Sequence, residues 1–356
     1  MNLKINHRLG VVNVDFFSNF QVSLKYDSVA STFSFNFLYD EKSRLHAEMA
    51  CVSHFHEAIL EHEGETLITG YLLSQSFNVG SKTELSQFAG YSKAGVLDDC
   101  DIPTSIYPLQ SDGLTLRQIA QKIISAFKLK MSVDSSVAAE MDKVIPVSTS
   151  KDSQNAKSYL TEICTQRKII MTHNEHGDVL FTRAKTEVTP AFHVEDGQIG
   201  TNISLLFSGQ GLHSDITVLK ESGIDGGNAG EYTLQNPYVP IVTRPRVLTQ
   251  TSGEDTSVEE TAMNALAAEL KDAIVLKIET DRWKLNNKLI RPGIVISVYS
   301  PKNYIYKKTD FFVESIDYKG DPKSTTATMN CVIKEVYNGK MPKNIFVDAH
   351  QNLPRI

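Results

Sequence analysis

This chain of 356 residues has four cysteines, one tryptophan and no apolar run approaching the ~20 residues of a membrane-spanning helix. Cys51, Cys100, Cys164 and Cys331 lie far apart and are read as forming no C-x-x-C or C-x-x-H pair. Three of them sit in apolar or mixed runs, as small hydrophobes do, and a reducing compartment fits this usage best. The segment Met1-Asn2-Leu3-Lys4-Ile5 carries neither the apolar core nor the cleavage site of a secretory signal, so passage by the general secretory route is not expected. Positive charge is also in short supply. A formal charge of −6 excludes the net-basic footprint of a sequence-independent nucleic-acid binder, and no sequence-specific nucleic-acid motif is present. Lys302, Lys307 and Lys308 cluster around Tyr304 and Tyr306, but Asp310 follows at once, and the segment reads as a solvated strand, turn and strand.

Catalytic signatures are missing as well. No G-x-S-x-G elbow and no H-E-x-x-H occurs. Gly209-Gln210-Gly211 and the glycines from Gly223 to Gly230 lack the strand-to-helix context and the Lys-Ser/Thr of a phosphate-binding loop. The acid pairs Asp98/Asp99 and Glu259/Glu260 read as turn and helix-start residues, the second suiting a helix N-terminus electrostatically. No catalytic residue and no cofactor is expected. The densest group of metal-ligating types is His54, His56 and His62 with Glu57, Glu61 and Glu63. Period two would place His54 and His56 on one face of a strand, a real ligand geometry. Without a third ligand at defined spacing, the surface-strand reading is preferred and no metal is assigned, with His54 and His56 as the candidates. A sharper version would put an ion on the three-fold axis of an oligomer. His173 and His176 flank Asn174–Asp178 and are explained by turn chemistry.

What is present is mostly β. Over residues 1–108, Val11–Val14, Gln21–Leu24, Thr32–Phe37 and Thr66–Tyr71 alternate or run apolar over strand lengths. Phe33, Phe35 and Phe37 are the clearest set, since period two puts all three rings on one face. Glu63-Gly64-Glu65 predicts a tight turn joining Ala58–Glu61 to Thr66–Ile68. Many short strands with turns between them suggest a barrel or sandwich.

Near residue 109 the period changes. Leu116, Ile119, Ala120, Ile123, Ile124 and Phe127 form one helical stripe, with Thr115 and Gln118 as a capping box. A second helix is expected to begin near Asp152 or Ser153, burying Ala156, Tyr159, Leu160 and Ile163, followed by strands at Ile169–Thr172 and Val179–Thr182. From about residue 188 the chain returns to β, with a strand at Ser214–Leu219. Glu221–Glu231 is glycine-rich and reads as a mobile loop. Ser257 and Glu260 open a helix with Ala262, Leu266, Ala267, Leu270 and Ala273 on its apolar side. Strands follow at Ala273–Glu279, Gly293–Val298, Phe311–Glu314 and Thr326–Val336. Trp283 reads as a cap over the end of a core, at a turn into a barrel strand.

The fold class is therefore mainly β with an α+β insertion. A β-barrel-like domain at 1–108 and a second at 188–222 and 274–340 flank a small α+β domain at 109–187. A loop and helix insertion occupies 223–273, and 341–356 is a tail that orders only against a partner.

Several passages together resemble one family. They are Gly70-Tyr71 closing an early hairpin, Gly90-Tyr91-Ser92 with the acidic turn Asp98-Asp99-Cys100, and Thr115–Ala120. Further along come Gly177–Ala184, Ser214–Val218 and the passage from Trp283 through Pro292. In order and spacing they resemble the baseplate hub protein of Mu-like contractile-tailed phages, relatives of the late-control protein D family and of the hub portion of type VI secretion spike proteins. Two stretches depart from the family pattern, the aromatic-rich amino-terminal strands and the Gly223–Gly230 loop. The resemblance implies a homotrimer whose barrel-like domains form a ring of pseudo-six-fold symmetry, joining a six-fold tail tube to a three-fold central spike. Its partners would be the spike, tail tube or tube-initiator proteins, the tape measure protein and baseplate wedge proteins. The tape measure and later DNA would pass through the bore, where an acidic balance is apt. Such a protein would assemble in the host bacterial cytoplasm and reside in the virion tail baseplate. The rivals from other classes are a tail-associated protein that lyses or grips the cell envelope, and a metal-stabilised β adhesin using His54 and His56.

Overall fold

The structure is a computed structural model that describes all residues except 8–9, 15–16, 41, 79–84, 107–110, 146–153, 222–227, 251–256, 286, 322 and 347–356. The chain divides into two compact units, Met1–Arg183 with Asn286–Ile290 and Asp317–Thr326, and Ala184–Leu285 with Arg291–Ile316 and Ala327–Ile356.

The first unit is built on an antiparallel sheet. Its strands are β1 (Asn2–His7), β2 (Gly10–Val14), β3 (Phe17–Lys25), β4 (Thr32–Leu38), β5 (Glu57–His62), β6 (Glu65–Ser76) and β7 (Leu85–Ser92), in the order β3-β4-β7-β6-β5-β1-β2. The alternation read from the sequence places Phe33, Phe35 and Phe37 together on the buried face of β4. Phe35 lies opposite Phe20 on one side and Phe88 on the other, with the Phe35 and Phe88 rings stacked at 5.6 Å. Glu63 and Gly64 both take positive φ, at 47° and 83°, and make the tight turn of the β5–β6 hairpin.

Three local readings change. Helix α1 (Arg44–Met49), capped by Ser43, interrupts a region expected to be all β. Gly70-Tyr71 lies inside β6 and closes no hairpin. Asp98 and Asp99 lie on a helical turn, α2 (Val96–Asp99), that the sequence offered as an acidic turn.

Gly70 and Gly90 instead serve close packing. A Cβ on Gly90 would stand 1.9 Å from the Tyr71 carbonyl oxygen and 2.8 Å from the Phe33 ring. One on Gly70 would stand 2.0 Å from the Tyr91 carbonyl oxygen and 2.8 Å from the same ring. Phe33 pairs with Gly90 in register, so one buried ring fills the space left by two missing side chains.

The same unit carries a helical module. Helix α3 (Leu116–Ala126) opens with the expected capping box: the Gln118 amide donates to Thr115 Oγ1 at 3.2 Å, and the Thr115 amide donates to Gln118 Oε1 at 2.9 Å. Strand β8 (Met131–Val133) and helix α4 (Ala138–Met141) follow, both too short to leave a period in the sequence. Helix α5 (Ala156–Gln166) is capped by Asn155, which accepts from the Ser158 amide; the start expected at Asp152 or Ser153 lies outside the described residues. Strands β9 (Ile170–His173) and β10 (Val179–Thr182) complete a sheet in the order β8-β10-β9, with β8 parallel to β10. The apolar sides of α3 and α5 share one core with Phe181, Val179, Ala94, Leu97 and Ile102.

In the second unit, β11 (His193–Glu195) and β12 (Thr201–Phe207) are followed by β13 (Asp215–Glu221), β14 (Asn228–Gln235) and β15 (Pro245–Gln250). Helix α6 (Val258–Ala273) leads into β16 (Ile274–Thr280). Beyond it come β17 (Lys284–Leu285), β18 (Lys288–Leu289), β19 (Val295–Ser300), β20 (Ile305–Gly320) and β21 (Thr325–Ile333). Strand β18 and the facing ends of β20 and β21 count with the first unit. Here β16 pairs antiparallel with β12 and with β21, β20 pairs antiparallel with β19, and β11 runs parallel to β19. A second sheet, β14-β13-β15, has α6 against it.

The stretch 223–273, expected as loop and helix, thus contains two strands. The glycine-rich segment is β from Asn228 onward, and 222–227 lie outside the described residues. Lys334–Tyr337 forms a 3-10 turn, so the last strand ends at Ile333. The segment expected to wait for a partner is held by its own chain as far as it is described. Tyr238 Oη donates to the Lys343 carbonyl at 2.9 Å, and Phe346 packs edge-on against Phe207 and Tyr238.

Gly90→Ala is expected to destabilise the first unit by about 3 kcal/mol, because both atoms its Cβ would strike belong to packed structure. Gly211→Ala, with open space around its Cβ, should shift the urea midpoint by no more than ~0.5 kcal/mol equivalent. Equal midpoints for the two variants would refute this account of the glycine pair.

Candidate functional site

The candidate ligands of the sequence fall on the loop between α1 and β5, not on a strand face. Ser53 and Phe55 have φ of 70° and 46°, left-handed values that non-glycine residues adopt at a cost and that end any period-two alternation between His54 and His56. The loop nevertheless brings the two imidazoles together, with ring centroids 5.4 Å apart and edge-on. His54 Nε2 stands 3.4 Å from Cys51 Sγ. His56 is buried, its Nε2 lies 3.0 Å from the Glu48 carbonyl oxygen, and the His7 ring sits 6.1 Å away. Burial holds the His56 imidazole below its ordinary pKa, although the Glu48 carbonyl pulls the other way. Val52 and Phe55 point outward. The carboxylates of the group are committed elsewhere: Glu57 to Lys93 and Glu61 to Lys4, both at 2.7 Å. His62 lies 3.7 Å from Glu63. Among the described residues no group of three or more His, Cys, Asp or Glu side chains is placed to hold a metal ion.

Sequence reasoning missed Cys51. The signal was there as Cys51-Val52-Ser53-His54, a C-x-x-H spacing that corrects the reading that no such pair occurs.

It also missed Glu269, a carboxylate on the buried stripe of α6. Its Oε1 accepts from Arg246 at 2.8 Å and meets His213 Nδ1 at 2.7 Å, while Oε2 accepts from the His213 amide at 3.1 Å. An acid three residues after Leu266 and one before Leu270 was the visible clue. This cluster has the acid and imidazole of a hydrolytic triad, but the neighbouring hydroxyl is occupied. Ser214 Oγ donates to Asp215 and accepts from the Arg244 amide. The group therefore acts as a clamp between α6 and the β13–β15 sheet.

The remaining candidates fall into structural roles. Asp98 pairs with Lys157 at 2.8 Å, and Glu259 and Glu260 sit in the first turn of α6. Asn174 Oδ1 accepts from the amides of His176 and Asp178, which makes the turn that the two histidines flank. Trp283 is buried in the second unit. The lysines around Tyr304 border a 3-10 turn, Pro301–Asn303, that leads into β20.

Open surface lies at sheet edges and in apolar patches. Among the described residues strand β2 pairs only with β1, and it exposes Val11; β12 likewise pairs only with β16, and it exposes Leu206 and Phe207. Ile241 is 91% exposed beside Val242 and Met341, around a hollow that also takes in Pro237 and Pro240. On the solvent side of β3, β4 and β7, Asn19, Asn36 and Gln87 form a row of uncharged amides. These surfaces can add strands or bury apolar area.

Comparison with known proteins points the same way. Residues 94–183 match the family model described as baseplate hub protein gp44-like, second domain. The chain is 22% identical over 272 residues to baseplate hub protein gp44 of Escherichia phage Mu, spanning 72% of this chain and 69% of that one. Its fold is similar to that of the 43 kDa tail protein of prophage MuSo2 from Shewanella oneidensis, with a TM-score of 0.79 at 15% identity, covering 95% of this chain and 100% of that one. The tail protein from Neisseria meningitidis MC58 gives 0.76 at 14% identity, covering 96% and 98%. The resemblance to Mu-like baseplate hub proteins, read from short passages of sequence, is thus upheld. The matched stretch begins at Ala94, where the core of the helical module begins.

Thiol chemistry checks the burial pattern. Burial pushes the Cys164 thiol up to about 12 and drives Cys331 up as well, whereas Cys51 and Cys100 are only half-buried. Native iodoacetamide labelling followed by peptide mapping should modify Cys51 and Cys100 first. Labelling of Cys331 ahead of Cys51 would contradict the structure.

Proposed function

We propose that this protein is a structural baseplate hub component of a contractile phage tail or tailocin, and that it works by assembly without catalysis. The observation that carries this reading is the similarity to Mu gp44 over 272 residues, joined to a fold shared with phage tail proteins along 95% of the chain. Unpaired strand edges at β2 and β12, with exposed Val11 and Leu206, are the kind of surface such assembly uses.

In the finer form of the proposal the chain is a homotrimer with two barrel-like domains per subunit, at 1–108 and at 188–222 with 274–340. The small domain at 109–187, the segment 223–273 and the end of the chain at 341–356 elaborate that ring. The ring joins the six-fold tube to the three-fold spike and leaves a channel for the tape measure and DNA. Spike, tube or tube-initiator, tape measure and wedge proteins are its partners. It assembles in the host cytoplasm and resides in the virion tail. The lytic alternative gains no support from Glu57, Glu61 and Asp98, which are paired with lysines, or from Glu259 and Glu260 at a helix start.

Light scattering across a dilution series tests the proposal. The expected mass is three times the 39.6 kDa of one chain. Leu206→Asp on the β12 edge should lower the mass while leaving the circular dichroism unchanged. A monomer at every concentration, persisting when a central spike protein is added, would overturn the trimeric hub.

A further inference from the structure

We propose that the outer face of β3, β4 and β7 is a binding site for a neutral oligosaccharide chain. The inference does not depend on the hub reading.

The first support is the pattern of side chains. Asn19 lies opposite Asn36, and Asn36 opposite Gln87, so three amides form a row across three paired strands. Gln21 and Ser34 face each other in the next row. Side chains alternate along a strand, so the inward neighbours of this face are Phe20, Phe35 and Phe88, all buried. The stacked Phe35 and Phe88 rings back the face from the core side and keep its backbone in place.

The second support is unused hydrogen-bonding capacity. Among the described residues, the side chains of Asn19, Gln21, Ser34, Asn36 and Gln87 have no hydrogen-bond partner in the protein. Each amide offers two donors and an acceptor, and the hydroxyl both donates and accepts. Sugar hydroxyls have the same dual character, so a glycan can engage both halves of each amide.

The third support is shape. The amides line a hollow of about 420 Å3, walled by Lys319–Asp321 with Ser324 and Thr326. The wall is held by its own bonds, since Asp321 Oδ1 accepts from the Lys323 and Ser324 amides at 2.7 and 2.8 Å. Gly320 leaves room for the Phe20 ring, which would stand 2.6 Å from a Cβ there. The row continues out of the hollow to Ser76, which pairs with Gln87 in register. Neighbouring strands lie about 4.8 Å apart, close to the length of one pyranose unit, so successive side chains can meet successive sugars.

Charge and topology favour a sugar over other polymers. Lys319 and Asp321 are the charged residues lining the hollow, and they offset each other. A nucleic acid or an anionic glycan would find no net positive surface there. Strands β3, β4 and β7 are each paired on both sides, so a peptide cannot be held on them by strand addition.

The test places the full chain on an array of neutral oligosaccharides, with heparin and single-stranded DNA as anionic controls. At least one neutral oligosaccharide should be retained, with signal rising from single sugars to longer chains, and neither control should be. In calorimetric titration with that oligosaccharide, Asn36→Ala and Gln87→Ala should each weaken binding about fivefold, the scale of one hydrogen bond. Asn202→Ala, at an exposed position of β12, should leave it unchanged. Circular dichroism checks that the variants fold. Retention of no neutral oligosaccharide, preference for heparin or DNA, or unchanged binding in the double variant Asn36→Ala/Gln87→Ala would overturn the site. The light-scattering mass is read separately, so loss of the sugar site leaves the trimer question where it stood.

Discussion

The Phe33 ring lying across Gly70 and Gly90 is the contact on which the rest of the first unit depends. Strands β6 and β7 approach so closely there that any Cβ would meet a carbonyl oxygen at about 2 Å, the contact glycine alone avoids. The residue after each glycine points to the opposite face. Tyr71 lies under Lys93, and the Tyr91 ring fills the space beside Gly95. The repeated Gly-Tyr step is therefore two-sided, with the glycine receiving a ring and the tyrosine supporting the start of the helical module. Further ties follow from that seating. Thr69 Oγ1 donates to the Glu175 carbonyl, Thr172 Oγ1 to the Ser28 carbonyl, and Lys93 pairs with Glu57. The first departs from β6 itself, and the last from the residue that follows β7.

Elsewhere two polar groups with several partners each tie elements together. Glu269 would be costly on the buried stripe of α6 if its oxygens were left unpaired. Arg246 and two donors from His213 satisfy it, and the result fixes the helix against β13 and β15. Arg167 does similar work in the first unit, donating to the carbonyls of Glu140, Lys143 and Val144. Clamps of this kind hold scaffolds rigid while leaving sheet edges free. That suits the assembly role proposed for it.

Much of this was legible in the residues. Phe33, Phe35 and Phe37 announced a buried face because strand side chains alternate whatever surrounds them. Thr115 with Gln118, and Ser257 before Glu260, announced helix starts because caps act within one turn. The candidate metal ligands were noticed for a reason that did not hold. His54 and His56 come together through the left-handed residues Ser53 and Phe55, and Cys51 lies beside His54 at a C-x-x-H spacing that the sequence reading passed over. Strands β14 and β15 fell in a stretch read as loop and helix, the glycines within Glu221–Glu231 having suggested a mobile loop. Pairing on both sides of β13 supplied the regularity that the segment alone does not show.

The sequence by itself determined the elements whose signals are short-range: period, cap and tight turn, each set by atoms within a few residues. From ordered short passages it also determined the likeness to baseplate hub proteins. Only the tertiary structure decided why Gly70 and Gly90 must be glycine, where Glu269 finds its partners, and that Cys51 and His56 converge on His54. These depend on strand register and on a loop's backbone angles, which are fixed by contacts between residues distant in the chain or by conformations that composition does not encode.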